Sequence, residues 1–115
     1  MTTREVAEAF TAALREGHGE ETRFWSDDVV SLEAMEGPMA RIEGRAAVEA
    51  KSAWWMANHE VHSFTVEGPF VHGNQFGLRF GLDFTRKEDG ARMTMAEIGL
   101  YTVADGAIIE ERFFY

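Results

Sequence analysis

The chain has 115 residues, enough to bury a core without disulfides or a structural metal, and its 45% hydrophobic and 27% charged residues mark a folded globular domain. With 20 acidic against 11 basic residues the formal charge is −9, which leaves too little basic surface for a nucleic-acid or anionic-membrane footprint. The absence of cysteine excludes disulfides, thiolate metal sites and a cysteine nucleophile, and it fits the reducing cytoplasm in which we expect the protein to work.

Met1-Thr2-Thr3-Arg4-Glu5 leads into an amphipathic segment, not an apolar leader, and no run approaches the roughly 18 apolar residues of a membrane span. From Thr3 to Glu16, Val6, Ala9, Phe10, Ala13 and Leu14 recur at helical spacing between Arg4, Glu5, Glu8 and Arg15. This predicts an amphipathic helix capped by Thr2 or Thr3 and ended by Gly17. Gly19 to Ser26 is expected to form a shorter helical turn anchored by Phe24 and Trp25, which Asp27-Asp28 breaks before a strand from Val29 to Met35. Glu36-Gly37-Pro38 must turn, since proline cannot donate to a ladder. A second helix over Arg45 to Glu60, opened by Gly44, puts Ala47, Ala50 and Trp54 on one face and Val48, Ser52, Trp55 and His59 on the adjoining one.

The period then changes from helical to alternating. Val61 to Glu67 and Phe70 to His72 read as one strand kinked at Gly68-Pro69, and Gly73-Asn74 as a turn. Gln75 to Tyr115 reads as long antiparallel strands joined by hairpins at Lys87-Glu88-Asp89-Gly90 and Ala104-Asp105-Gly106. The order predicts one α+β domain over residues 1–115, with helices gathered on one face of a curved sheet.

Phe76, Leu78, Phe80, Leu82 and Phe84 alternate with Gln75, Gly77, Arg79, Gly81, Asp83 and Thr85. Placing Thr85 opposite Met93 sets Arg79 against Gly99 and Gly81 against Glu97, and it adds Ile98 and Leu100 to the apolar face. The other face then gathers Arg79, Asp83, Glu97, Tyr101, Glu111, Phe113 and Tyr115 around Gly77, Gly81 and Gly99, where missing side chains leave room. Alternation alone leaves two readings open. In one, the charged face lines a pocket and the Phe76–Phe84 face is covered by a second copy, making a homodimer. In the other, the apolar face is the helix-packed core, and Arg79, Glu97 and Glu111 form a solvent-exposed ladder. A slip of one residue would exchange the faces of a strand.

Taken together, Phe10-Thr-Ala-Ala-Leu14, Asp27-Asp-Val-Val-Ser-Leu-Glu33, Gly44-Arg-Ala-Ala-Val48 and Val103-Ala-Asp-Gly-Ala-Ile-Ile-Glu110 resemble the nuclear transport factor 2-like superfamily. Within it, the chain is similar to the SnoaL-like and ketosteroid-isomerase-like proteins. The resemblance implies a cone-shaped fold with a strongly curved antiparallel sheet wrapped around N-terminal helices, and commonly a dimer through the outer sheet face. It favours the charged face as the concave one. It also implies a carboxylate base at Glu33, whereas the phenol of ketosteroid-isomerase-like enzymes falls at Phe10, and the His and Asp of SnoaL-like cyclases fall at Gly99 and Phe113.

Glu97 and Glu111, with Tyr101 and Tyr115, offer the carboxylate and phenol that proton abstraction next to a carbonyl needs, and Arg79 offers an anion clamp. The structural alternative for both glutamates is pairing with Arg79 or Arg112. Trp54, Trp55, Phe24, Met35 and Phe113 are the expected apolar ligand contacts. His59 and His62 lie three apart but straddle a helix end and a strand start without a third ligand, so neither a metal nor another cofactor is expected. The function expected is a cofactor-independent isomerase, cyclase or lyase acting on a small apolar carbonyl compound, with Glu33, Glu97 or Glu111 as base. The alternative is a non-catalytic ligand-binding or accessory domain on the same fold.

Overall fold

A computed structural model describes residues 1–115. Helix α1 spans Thr3–Glu16, the predicted range. Thr2 and Glu5 close a capping box at its start, and Gly17 ends it at φ 73°, a left-handed conformation that costs glycine little. Its apolar stripe of Val6, Ala7, Phe10 and Ala13 is buried. A 3₁₀ turn, Glu20–Phe24, follows, and then β1 (Trp25–Leu32), β2 (Arg41–Glu43), α2 (Arg45–Asn58), β3 (His59–His72), β4 (Gln75–Arg86), β5 (Arg92–Ala104) and β6 (Ala107–Phe114).

The strands form one open sheet in the order β2-β1-β6-β5-β4-β3. All neighbours are antiparallel except β1 and β6, so the sheet is mixed where an antiparallel one was expected. The expected fold class otherwise holds, with α1 packed across β3, β4 and β5 and α2 against β1 and β3. No helix is long and apolar enough to cross a membrane.

Two local differences have physical causes. β1 begins at Trp25, ahead of the predicted Val29, because its register with β6 shifts between Trp25 and Val30 and lets Asp27 and Asp28 stay in solvent inside a strand. The other difference is a slip of one residue between β4 and β5. Arg86 N–H donates to the Ala91 carbonyl and Gly90 N–H to the Arg86 carbonyl, with Gly90 at φ 71°. This turn sets Thr85 opposite Arg92, so Leu78 meets Gly99, Phe80 meets Glu97 and Arg79 meets Ile98.

The slip turns β4 over relative to its neighbours. Phe76, Leu78, Phe80 and Phe84 lie on the concave face with Glu97, Gly99 and Tyr101, and the first three join Phe10, Val29 and Val48 in the core. They are at most 5% exposed within the single chain, so the Phe76–Phe84 face is not available as a dimer surface. Ile98 and Leu100 point to the outer face, together with Arg79.

Candidate functional site

Beyond the part of the concave face that α1 covers, four elements bring polar side chains together. Along β1 and its continuation, Val29, Ser31 and Glu33 alternate inward; along β6, Glu111, Phe113 and Tyr115 do the same. The parallel register sets Ser31 beside Glu111. Antiparallel pairing sets Tyr101 beside Glu111 and Gly99 beside Phe113. Lys51 reaches over this floor from α2, between the buried Val48 and the half-buried Trp55 on one helical stripe.

A chain of hydrogen bonds follows from this placement. Lys51 Nζ lies 2.6 Å from Glu33 Oε1 and donates to Ser31 Oγ at 2.6 Å, while Ser31 Oγ donates to Glu111 Oε2 at 2.7 Å. Tyr115 Oη donates to the second Glu33 oxygen at 3.0 Å. Both oxygens of Glu33 are therefore engaged. The Lys51 ammonium also sits 5.5 Å from the centre of the Phe113 ring, a cation–π contact.

Glu111 is 5% exposed, and burial raises its pKa, opposed by the Ser31 hydrogen bond and the Lys51 charge. The nearby Trp25 indole N–H also favours the ionised form, although it falls short of hydrogen-bonding geometry. Glu97 differs from both other acids. It is half-buried, has no hydrogen-bond or ion-pair partner in the protein, and is pushed up to about 7 by burial and then by Glu33, with Lys51 opposing.

Tyr101 is 2% exposed and makes no hydrogen bond within the protein. Its ring stacks on Phe76 at 4.9 Å and leans on Phe10 at 5.0 Å. It lies back over Gly99 toward Glu97: a Cβ at position 99 would stand 2.9 Å from Tyr101 Cε2 and 3.0 Å from its hydroxyl oxygen. Burial, then Glu111 and Glu97, raise the Tyr101 pKa well above its usual value and keep it a proton donor. The position of Phe10 is informative here. It lacks a hydroxyl, yet its ring supports one carried by β5.

Glu97, Glu111, Tyr101, Phe113 and Tyr115 thus share one face, as alternation predicted, and Glu33, which entered only through the family resemblance, joins them there. Arg79 does not, because it pairs with Glu67 at 3.2 Å on the outer face and cannot clamp an anion in the concavity. Phe24 is a core residue, packed edge-on to Phe10. Met35, Trp54 and Trp55 border a cleft of about 390 Å³ with Asn58, His59 and Arg86. In it Trp55 stacks on His59 at 4.3 Å, while Trp54 is 57% exposed. His59 bonds the Trp55 carbonyl and His62 bonds Thr85, so the two histidines have separate partners. A larger depression of about 680 Å³, lined by Asp27, Glu43 and Arg45, opens to solvent and shares no residue with the cluster.

Lys51 and Ser31 are the members of the site that the sequence reading passed over. The signal was present: Lys51 falls three residues after Val48 and four before Trp55, on the helical face that carries both.

A model of the SnoaL-like domain matches residues 1–115. The chain belongs to the SnoaL-like domain family. A structure from Mesorhizobium loti, provisionally described as a SnoaL-like polyketide cyclase, is 52% identical to this SnoaL-like domain over 100% of both chains, with a TM-score of 0.95. A structure from Bacillus subtilis, provisionally described as an isomerase, is 26% identical over 98% of this chain and 88% of its own, with a TM-score of 0.77. A protein of ketosteroid isomerase-like fold from Catenulispora acidiphila shares the fold at 16% identity, covering 83% of this chain and 72% of its own, with a TM-score of 0.69. No curated protein is similar enough in sequence to match. Where the resemblance implies a His and an Asp, this SnoaL-like domain has Gly99 and Phe113, and Tyr101 lies over the glycine.

Proposed function

We propose that the protein is a cofactor-independent proton-transfer enzyme, an isomerase, cyclase or lyase in outcome, acting on a small apolar carbonyl compound bound against the concave face. The observation that carries this reading is Glu97: half-buried, without a protein partner, and poised at about 7. A general base works best when its pKa lies near the operating pH. The Glu97 carboxylate takes a proton from the carbon next to the carbonyl, and the C–H electron pair moves into a carbon–carbon double bond as the oxygen gains negative charge. Tyr101, kept protonated by its surroundings, donates to that oxygen. Protonated Glu97 then returns the proton to carbon.

Glu33 is a poor base here because Lys51 and Tyr115 occupy its oxygens, and Glu111 is buried behind Ser31. The role of Glu33 is to hold Lys51. The Gly99 and Phe113 replacements favour a second reading, a non-catalytic binder that has lost the His and Asp of its relatives. Hydrogen–deuterium exchange at the α-carbon of a panel of apolar ketones, followed by NMR, separates the two. Exchange should fall by about a hundredfold or more in Glu97→Gln and be reduced in Tyr101→Phe. Binding without exchange, or exchange indifferent to Glu97, would overturn the enzymatic reading. If the chain forms a homodimer, the exposed Phe70, Ile98 and Phe114 of the sheet are the apolar surface open to it.

A further inference from the structure

The arginines of the sheet are neutralised away from the concavity. Arg41 pairs with Glu43, Arg79 with Glu67, Arg92 with Asp83 and Arg112 with Glu110, and at the rim Arg86 pairs with Asp89. What faces the floor is Glu33, Glu97 and Glu111 against the single ammonium of Lys51, and that ammonium is already held by Glu33 and Ser31. No cation is left to receive an anionic ligand. A second observation points to what the site does receive. The Tyr101 side chain, in a residue 2% exposed, lies over Gly99 toward Glu97, and its hydroxyl has no acceptor in the protein. A ligand's carbonyl oxygen supplies that acceptor without adding charge.

We infer that the concave site selects ligands by charge, taking an electrically neutral carbonyl compound and rejecting one that carries a carboxylate or phosphate near its reacting carbon. This rests on the reading of the concave face as the ligand site and narrows its substrate class. A carboxylate placed there adds a further negative charge beside Glu97 and Glu111 in a water-poor site, and like charges brought together across an interface discriminate strongly. Phe64, Phe80 and Phe113 leave such a charge little else to bind.

The test is a pair of probes of similar size, 2-tetralone and 2-naphthoate, titrated into the whole protein by calorimetry at about pH 8, where both the naphthoate and Glu97 are ionised. The ketone should bind at least about tenfold more tightly than the carboxylate, and Glu97→Gln should narrow that ratio. Equal or tighter binding of the naphthoate overturns the inference, and so does a ratio unchanged in Glu97→Gln. Failure of both probes to bind at millimolar concentration overturns it as well, since the concave face is then not a ligand site. Deuterium exchange into 2-tetralone is read separately. Discrimination without exchange keeps the charge rule and removes proton transfer, whereas exchange without discrimination does the reverse.

Discussion

The two halves of the concave face are made of the same strands and have opposite characters. Under α1, Phe76 and Leu78 are 1% exposed and form a dry core with Phe10 of the helix, itself 2% exposed. Further along β4 and β5, Leu82, Met93, Met95 and Glu97 are only half-buried, and Phe64 on β3 is 41% exposed. The difference comes from coverage and not from composition: α1 is shorter than the strands it lies on, and beyond it α2 covers Phe84, 5% exposed against Trp55, but leaves Leu82 and Glu97 half-buried. The half-buried residues beyond the reach of α1 are therefore free to serve a ligand, and charge is tolerated there.

Substitutions can break or sharpen that contrast. The largest effect belongs to the covered half, where Phe76→Ala should cost about 3–5 kcal/mol of stability in urea denaturation, against roughly 1 kcal/mol for Leu82→Ala in the open half. Equal costs would show that the halves are packed alike. Next comes Lys51→Met, which strands Glu33 and Glu111 beside Glu97 and should cost about 3 kcal/mol at neutral pH. The cost should shrink in acid, as protonation removes the repulsion.

Glu97→Gln acts in the opposite direction. The folded-state pKa of Glu97, about 7, lies above the ordinary 4.5, so the folded protein holds this proton more tightly than the unfolded chain. Its contribution is most favourable below about 4.5 and is lost as pH rises through 7. Above that, the variant should be more stable than the wild type by about 2 kcal/mol, allowing for partial exposure, and near pH 4 the two should coincide. A gap independent of pH would show that Glu97 is solvated like any surface acid. The smallest effect is expected on the outer face, where Arg79→Ala should leave the urea midpoint unchanged within error.

Much of this arrangement was legible in the sequence. The 3.6-residue stripe and caps of α1 gave its limits, and period-two alternation put Glu97, Gly99, Tyr101, Glu111 and Phe113 on a common face. Both signals are local. Register is not, and the β4–β5 slip was decided by the turn closing at Arg86 and Ala91, with Gly90 in a left-handed conformation. That error alone moved Arg79 into the site and the core phenylalanines out of it. Short β2 and the parallel β1–β6 pairing depend on distant partners and left no local mark. Lys51 was hidden for another reason: a lysine on a core-facing stripe reads as a surface residue until its carboxylate partner, far along the chain, is known.

The posture of Tyr101 restricts how such a site can change over generations. A side chain at position 99 would occupy the space in which the phenol lies. A histidine at 99 and a tyrosine reaching back from 101 are thus mutually exclusive occupants of one volume. A lineage passing between them must vacate position 101 before filling position 99, or cross an intermediate in which the two rings collide. The order of substitutions is imposed by sterics, and sequences carrying both residues should be rare on this strand.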